Sequence, residues 1–442
     1  MKKIMLTYLL STISMLSCIS QKNTNVSYSR NDDGNIRTYT YNNDEVRIEI
    51  KYTGDIYFNE SETAVQSVSA NGYLRYNKDG NKIYISPGDN GTVFYEINGG
   101  DKKTSLDASE SAFLAAAIKT LIEHGVGAKD RVARIYKKDG TAAVLKEVVN
   151  LKADYVKGIY MNYLLETNTL SKADMIDIAN KVATIMESDF EKRKLLSDFS
   201  KKYLSDEATT LAYLKAVKTI GSDFEKSNAT KHILSEPLTA AQFTEVLSLT
   251  QNIGSDFEKS NVLKEVLANN KISTAQFSEV LKATATIGSD FAKASVLREI
   301  FDNNTISAGQ FSEVIKTIAT IGSDFEKANI IKNVLDNNKL PESQFNEMLD
   351  AISEIGSDFE KANVLKQVAR QKIINESQWL NLISKTEKLS SDFEKSNVLI
   401  EIASHMPIAE KVKAAYMKTA KTISSDHEYG RVMRVLKEND NQ

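Results

Sequence analysis

The tripeptide Ser-Asp-Phe returns down the second half of the chain at a nearly constant interval. It begins at Ser188, Ser222, Ser255, Ser289, Ser323, Ser357 and Ser391, and an altered copy reads Ser425-Asp426-His427. Every step is 34 residues except one of 33. Self-similarity at this period marks two-helix units stacked side by side, each covering an apolar face of its neighbour. The predicted fold is therefore mainly α: an α-solenoid of two-helix repeats over 105–440, preceded by a small antiparallel β-domain over 36–104. A stack of this kind offers an extended surface for holding something, and no pocket built for turnover.

One copy shows why the unit folds. Ser273-Thr274-Ala275-Gln276 is a capping box, in which the Ser hydroxyl caps the first turn and the Gln reaches back. Thr239 to Gln242 and Ser307 to Gln310 repeat it. The first helix then carries Phe277, Val280, Leu281, Thr284 and Ile287, spaced three to four apart on one face. Gly288 is read as a left-handed stop, and Ser289 caps the second helix with Asp290 at its positive end. Ser222, Ser255, Ser323, Ser357 and Ser391 take the same capping place. Ser255-Asp256-Phe257-Glu258 is expected to close a second capping box. The second helix carries Phe257, Ser260, Val262, Leu263, Val266 and Leu267, an arc of more than half its circumference, as befits a helix with a neighbour on each side. Asn269-Asn270, Asn303-Asn304 and Asn337-Asn338 are its expected ends, because Asn tolerates the left-handed conformation. Trp379 stands where other copies have Phe243, Phe277, Phe311 and Phe345, and is read as a larger core residue.

The N-terminus has a different logic. Lys2 and Lys3 precede an apolar stretch from Ile4 to Leu16, then Ser17 and the chain's one cysteine, Cys18. Basic region, apolar region and small residue in that order make a signal peptide over 1–17; the run is too short to span a membrane. Met15-Leu16-Ser17-Cys18 resembles a bacterial lipobox, which implies acylation of Cys18; the alternative is an ordinary signal peptide with an incidental cysteine. Cleavage before Cys18 removes two lysines and no acids, taking the formal charge from −3 to −5. Residues 18–35 read as a flexible polar tether. The β-domain follows from alternating runs such as Val46 to Ile50, Ile56 to Phe58, Tyr73 to Tyr76, Ile83 to Ile85 and Val93 to Ile97, separated by Asn-Gly and Asp-Gly turns. Those turns lack the spacing and closing Glu of a calcium loop.

Chemistry is sparse. The near-balanced charge excludes nucleic acid as the main partner. Four scattered histidines make no metal site, and no nucleophile elbow, Walker loop or dinucleotide fingerprint occurs. No catalytic residue and no cofactor is therefore assigned. The best polar candidates repeat: Asp223 and Lys226, Asp256 and Lys259, Asp290 and Lys293, Asp324 and Lys327, Asp358 and Lys361, Asp392 and Lys395. They read either as a ladder of caps and ion pairs between neighbours or as a polar stripe gripping an extended partner. The ladder is favoured, because a residue present in every copy suits the architecture better than one ligand.

Two resemblances bear on function. The period matches tetratricopeptide repeats without their signature, a likeness of geometry only. Gly54 to Phe58 and Ser69 to Leu74, then Gly127-Ala128-Lys129-Asp130-Arg131, then Asp154 to Lys157, then tandem Ser-Asp-Phe-Glu-Lys-Ala-Asn-Val-Leu copies, together resemble the extracytoplasmic region attached to some BlaR-type membrane metallopeptidases and stand-alone exported bacterial proteins. The resemblance implies a sensor or binding module; the peptidase portion and its HExxH are absent, so protease activity is not implied. The expected function is that of a non-catalytic envelope lipoprotein. It would be lipid-anchored at the periplasmic or outer-membrane face and present its repeats to a protein partner. The alternatives are a ligand-binding sensor acting with a separate membrane signalling protein and, more remotely, an envelope hydrolase. If Cys18 is the anchor, Cys18→Ala moves the protein from the membrane to the soluble fraction; an unchanged membrane fraction would refute the anchor.

Overall fold

The structure, a computed structural model, describes residues 25–30, 36–167, 169–204, 206–235, 238–269, 272–303, 306–337, 342–371, 375–407 and 409–439. It divides into two compact units, Met1–Thr169 and Leu170–Gln442. The segment read as a signal peptide, 1–17, and Cys18 lie outside the described residues.

The first unit is built on an antiparallel sheet. Its strands are β1 (Asn25–Arg30), β2 (Ile36–Asn42), β3 (Arg47–Thr53), β6 (Tyr73–Lys78), β7 (Asn81–Pro87) and β8 (Val93–Ile97), in the order β1-β2-β3-β6-β7-β8. A separate hairpin pairs β4 (Ile56–Phe58) with β5 (Val65–Val68). Strand alternation puts Tyr39, Ile50, Leu74, Tyr76, Ile83 and Ile85 on one face. Helix α1 (Ala108–Glu123) covers them with Leu114, Ala117, Ile118 and Leu121, and all ten are buried. Strand β1 differs from the expectation of a tether over 18–35. Val26, Ser27 and Tyr28 pair with Tyr41, Thr40 and Tyr39, so this polar segment satisfies its backbone on the sheet edge.

Helices α2 (Ala128–Asn150) and α3 (Asp154–Thr167) complete the unit. Gly127, at φ 73°, opens α2, and a Cβ there would meet the Phe58 ring at 2.7 Å. Gly140 breaks α2 with non-helical dihedrals. The buried Arg131 donates to Glu62 at 2.7 Å and Glu147 at 2.8 Å, and its guanidinium reaches the Tyr160 hydroxyl at 3.4 Å. Burial opposes its charge, but the two carboxylates hold it above its ordinary value.

The second unit is a run of helical hairpins. Its first helices are α4 (Lys172–Ile185), α7 (Glu207–Lys218), α9 (Ala240–Gln251), α11 (Thr274–Ala285), α13 (Ala308–Ala319), α15 (Glu342–Ser353), α17 (Glu376–Glu387) and α19 (Glu410–Ala420). The second helices are α5 (Asp189–Asp198), α8 (Asp223–Ile233), α10 (Asp256–Asn269), α12 (Asp290–Asn303), α14 (Asp324–Asn337), α16 (Asp358–Ala369), α18 (Asp392–Ala403) and α20 (Asp426–Asn439). A short helix, α6 (Ser200–Tyr203), interrupts the first link. First helices pack on first helices and second on second, giving the two layers of a solenoid. Phe243, Phe277, Phe311, Phe345 and Trp379 are all buried between them. Buried Thr284 bonds back to the Val280 carbonyl at 2.8 Å, which satisfies its hydroxyl inside the core.

His124 gives the first unit a pH dependence. Its ring stacks on Tyr39 at 3.8 Å and meets the Tyr28 hydroxyl at 3.4 Å. Burial, with Lys152 adding to it, lowers its pKa from 6.5 to about 4. Protons therefore bind the unfolded chain first, so the stability contributed by the neutral ring is complete above pH 6.5 and is lost as pH falls towards 4. Urea midpoints measured at pH 7 and pH 5 should fall with acidity. His124→Phe, which keeps the stacking, should reduce that slope; an unchanged slope would exclude His124 as its source.

Candidate functional site

The second helices share one N-terminal design. Each Ser caps its helix by accepting the N–H three residues on, at 3.4 Å for Ser222 and Ser357 and 3.3 Å for Ser255, Ser289, Ser323 and Ser391. The next residue, Asp, does not turn back onto its own helix. Its carboxylate crosses to the following repeat and accepts two consecutive backbone N–H groups there. Asp256 receives Gly288 at 3.0 Å and Ser289 at 2.7 Å; Asp290 receives Gly322 at 2.9 Å and Ser323 at 2.7 Å. Asp189, Asp223 and Asp324 do the same. The Gly356 amide leads in holding the Asp324 carboxyl below its ordinary value, against a smaller opposing effect of burial, and the Ser357 amide adds to it.

This corrects two expectations. The turn glycines are not left-handed: Gly221, Gly254, Gly288, Gly322 and Gly356 are absent from the positive-φ positions. Their fit is one of space: a Cβ on Gly288 or Gly322 would sit a tight 3.1 Å from the bridging carboxylate oxygen, so the carboxylate must shift to admit one. Where the turn has Ser390 or Ser424 instead, both N–H groups converge on a single oxygen, Oδ2 of Asp358 or Asp392. The second capping box also does not form at Ser222, Ser357 or Ser391. The Ser N–H that Glu would accept already belongs to the preceding Asp. Glu instead takes a cation of the repeat before: Glu225 pairs with Arg193 at 2.6 Å and Glu326 with Arg298 at 3.1 Å. The boxes on the first helices do form at Thr239, Ser273 and Ser307.

The lysines extend the same link. Lys192 and Lys293 donate to the carbonyls of Thr219 and Thr320 at 3.2 and 3.3 Å, and Lys395 to the Thr422 hydroxyl at 3.1 Å. Each reaches the C-terminal end of the next repeat's first helix, where a cation is favoured. The recurrent Asp and Lys thus serve the stack.

Phenylalanine follows from this geometry. At ~100° per residue, Lys259, Val262, Leu263, Val266 and Leu267 form one buried arc, and Phe257 lies on the opposite side. The expectation that Phe257 joins the apolar arc is therefore wrong. Phe190, Phe224, Phe257, Phe291, Phe325, Phe359 and Phe393 are all 51–64% exposed. They stand in equivalent places on successive helices and form a row along the edge where each hairpin turns. Such a repeated exposed aromatic exceeds what scattered surface hydrophobics explain. The sequence carried the signal, because removing Phe257 leaves a narrower and more coherent apolar face.

Two hollows are formed by described residues of the first unit. One, of about 230 Å³, includes Arg37, Tyr52, Asp55, Lys129 and Asp130. The other, of about 430 Å³, lies on the sheet and includes Glu49, Lys51, Arg75, Tyr84 and Glu96. Both mix cations with carboxylates. Among the described residues no cluster could hold a metal ion, and no helix is long and apolar enough to cross a membrane.

The chain matches no known family model, and no curated protein matches it significantly in sequence.

The Asp bridge predicts a specific coupling. Asp290→Ala should cost roughly 1.5–3 kcal/mol, the range for hydrogen bonds to a charged group. Gly322→Ala should destabilise the native chain by displacing the carboxylate. In the Asp290→Ala background it should become neutral or stabilising, by up to ~1 kcal/mol. Additive effects in urea unfolding would refute the contact.

Proposed function

We propose that the protein is a non-catalytic, exported and lipid-anchored envelope protein whose helical repeats form a protein-binding surface. The observation that carries this reading is the row of seven exposed phenylalanines. Holding an apolar ring more than half in water at the same place in every copy adds little to the core, and the stack is made chiefly by Asp, Lys and the buried arc. Desolvated aromatic side chains are typical anchors of protein interfaces. Arg193, Arg298 and Arg431 lie 5.0, 5.8 and 5.7 Å from the centroids of Phe190, Phe291 and Phe393. Their cation–π contacts help fix these rings in an outward pose.

A second reading, a ligand-binding sensor that works with a separate membrane signalling protein, draws on the hollow of about 430 Å³ on the sheet. Its size falls within the range of small-molecule sites.

Retention of envelope proteins on the immobilised full chain separates the two. The triple variant Phe257→Ser/Phe291→Ser/Phe325→Ser should lose that retention while its thermal stability stays within ~0.5 kcal/mol of the parent. Retention that survives the triple variant would refute the phenylalanine edge.

A further inference from the structure

We propose that the partner of the phenylalanine row is a second copy of this chain, docked row against row and antiparallel. This rests on the protein-binding reading of that edge and names its occupant.

Three observations select this partner. The first is period. Neighbouring second helices pack ~8–10 Å apart, so equivalent rings recur at about that interval. A second row inserted halfway places its rings ~4–5 Å from each neighbour, the near end of the 4.5–7 Å favoured by offset aromatic pairs. A partner must share this spacing over seven rings, and a second copy does so by identity.

The second is area. Seven phenylalanines more than half exposed present roughly 700 Å² of apolar surface. A standard stable interface needs ~800 Å² per partner. The row supplies most of that, and the exposed turn residues beside it supply the rest.

The third is charge, and it sets the direction. The exposed residues just before each turn are not equivalent. Lys215 and Lys218 precede Phe224, whereas Glu354 precedes Phe359. An antiparallel arrangement whose two-fold axis lies a quarter-period from Phe291 keeps the rows interleaved and brings Phe224 beside the partner's Phe359, so Lys218 meets the partner's Glu354; Lys282 lies near the axis, the one place where a lysine approaches its own copy. A parallel arrangement would oppose Lys218 to its own copy. The two-fold symmetry makes the contact isologous and closed, so it ends at a dimer.

Sedimentation of the full chain, extracted in mild detergent, tests this. The expected mass is a dimer. Phe257→Ser/Phe291→Ser/Phe325→Ser should weaken the dimer at least ~100-fold without lowering the melting temperature. Lys218→Glu and Glu354→Lys should each weaken it, and Lys218→Glu/Glu354→Lys should restore it. A dimer indifferent to the phenylalanines, or charge variants without mutual rescue, would overturn the antiparallel row. A monomer whose phenylalanines retain a different envelope protein would overturn self-association and leave the protein-binding function standing. A monomer whose phenylalanines bind only phosphatidylethanolamine–phosphatidylglycerol vesicles, or bind nothing, would overturn both.

Discussion

One carboxylate per repeat organises the second unit. The Asp at the start of each second helix accepts two backbone N–H groups from the turn of the following repeat. These groups belong to the end of one helix and the start of the next, where the backbone has no partner of its own. A charged acceptor placed there satisfies both, complements the positive end of the following helix, and fixes the position of one hairpin on the next. Apolar burial drives the repeats together without direction; this contact gives them a register.

Other features of the motif are consequences. Glycine suits the turn because the carboxylate comes within 3.1 Å of where a side chain would begin; with Ser390 or Ser424 there, the bridge survives on a single oxygen. Glutamate is turned away from its capping role because the amide it would accept is already engaged, and it pairs with the repeat before. Lysine, one turn further along the same face, reaches the carbonyl end of the neighbouring first helix. With Asp and Lys committed to the neighbour and the apolar arc to the core, the residue between Ser-Asp and Glu-Lys is turned mostly to solvent. That residue is phenylalanine in seven successive copies. The structural part of the motif therefore ends with Asp and Lys, and the ring is the part left exposed.

The first unit uses different means. Its sheet is covered by a helix through a continuous apolar cluster, and Arg131 links the β4–β5 loop to α2 and α3 through paired carboxylates. Strand β1 escaped notice because Asn25 to Arg30 is polar and exposed at the edge. Its alternation is too weak to distinguish from a tether, and only the pairing with β2 makes it a strand.

The period, the helix pair in each repeat, the capping boxes of the first helices and the burial of Trp379 were all legible in the chain. They depend on residues close in sequence, where helical spacing and cap chemistry act within one or two turns. The role of Asp, the reason for Gly and the outward turn of Phe were not. Each depends on a residue about 32 positions away, and the one-dimensional pattern is the same whether a side chain caps its own helix or crosses to the next. Local spacing determined the repeat; only the stacking of one repeat on another decided which side chains hold it together and which remain exposed.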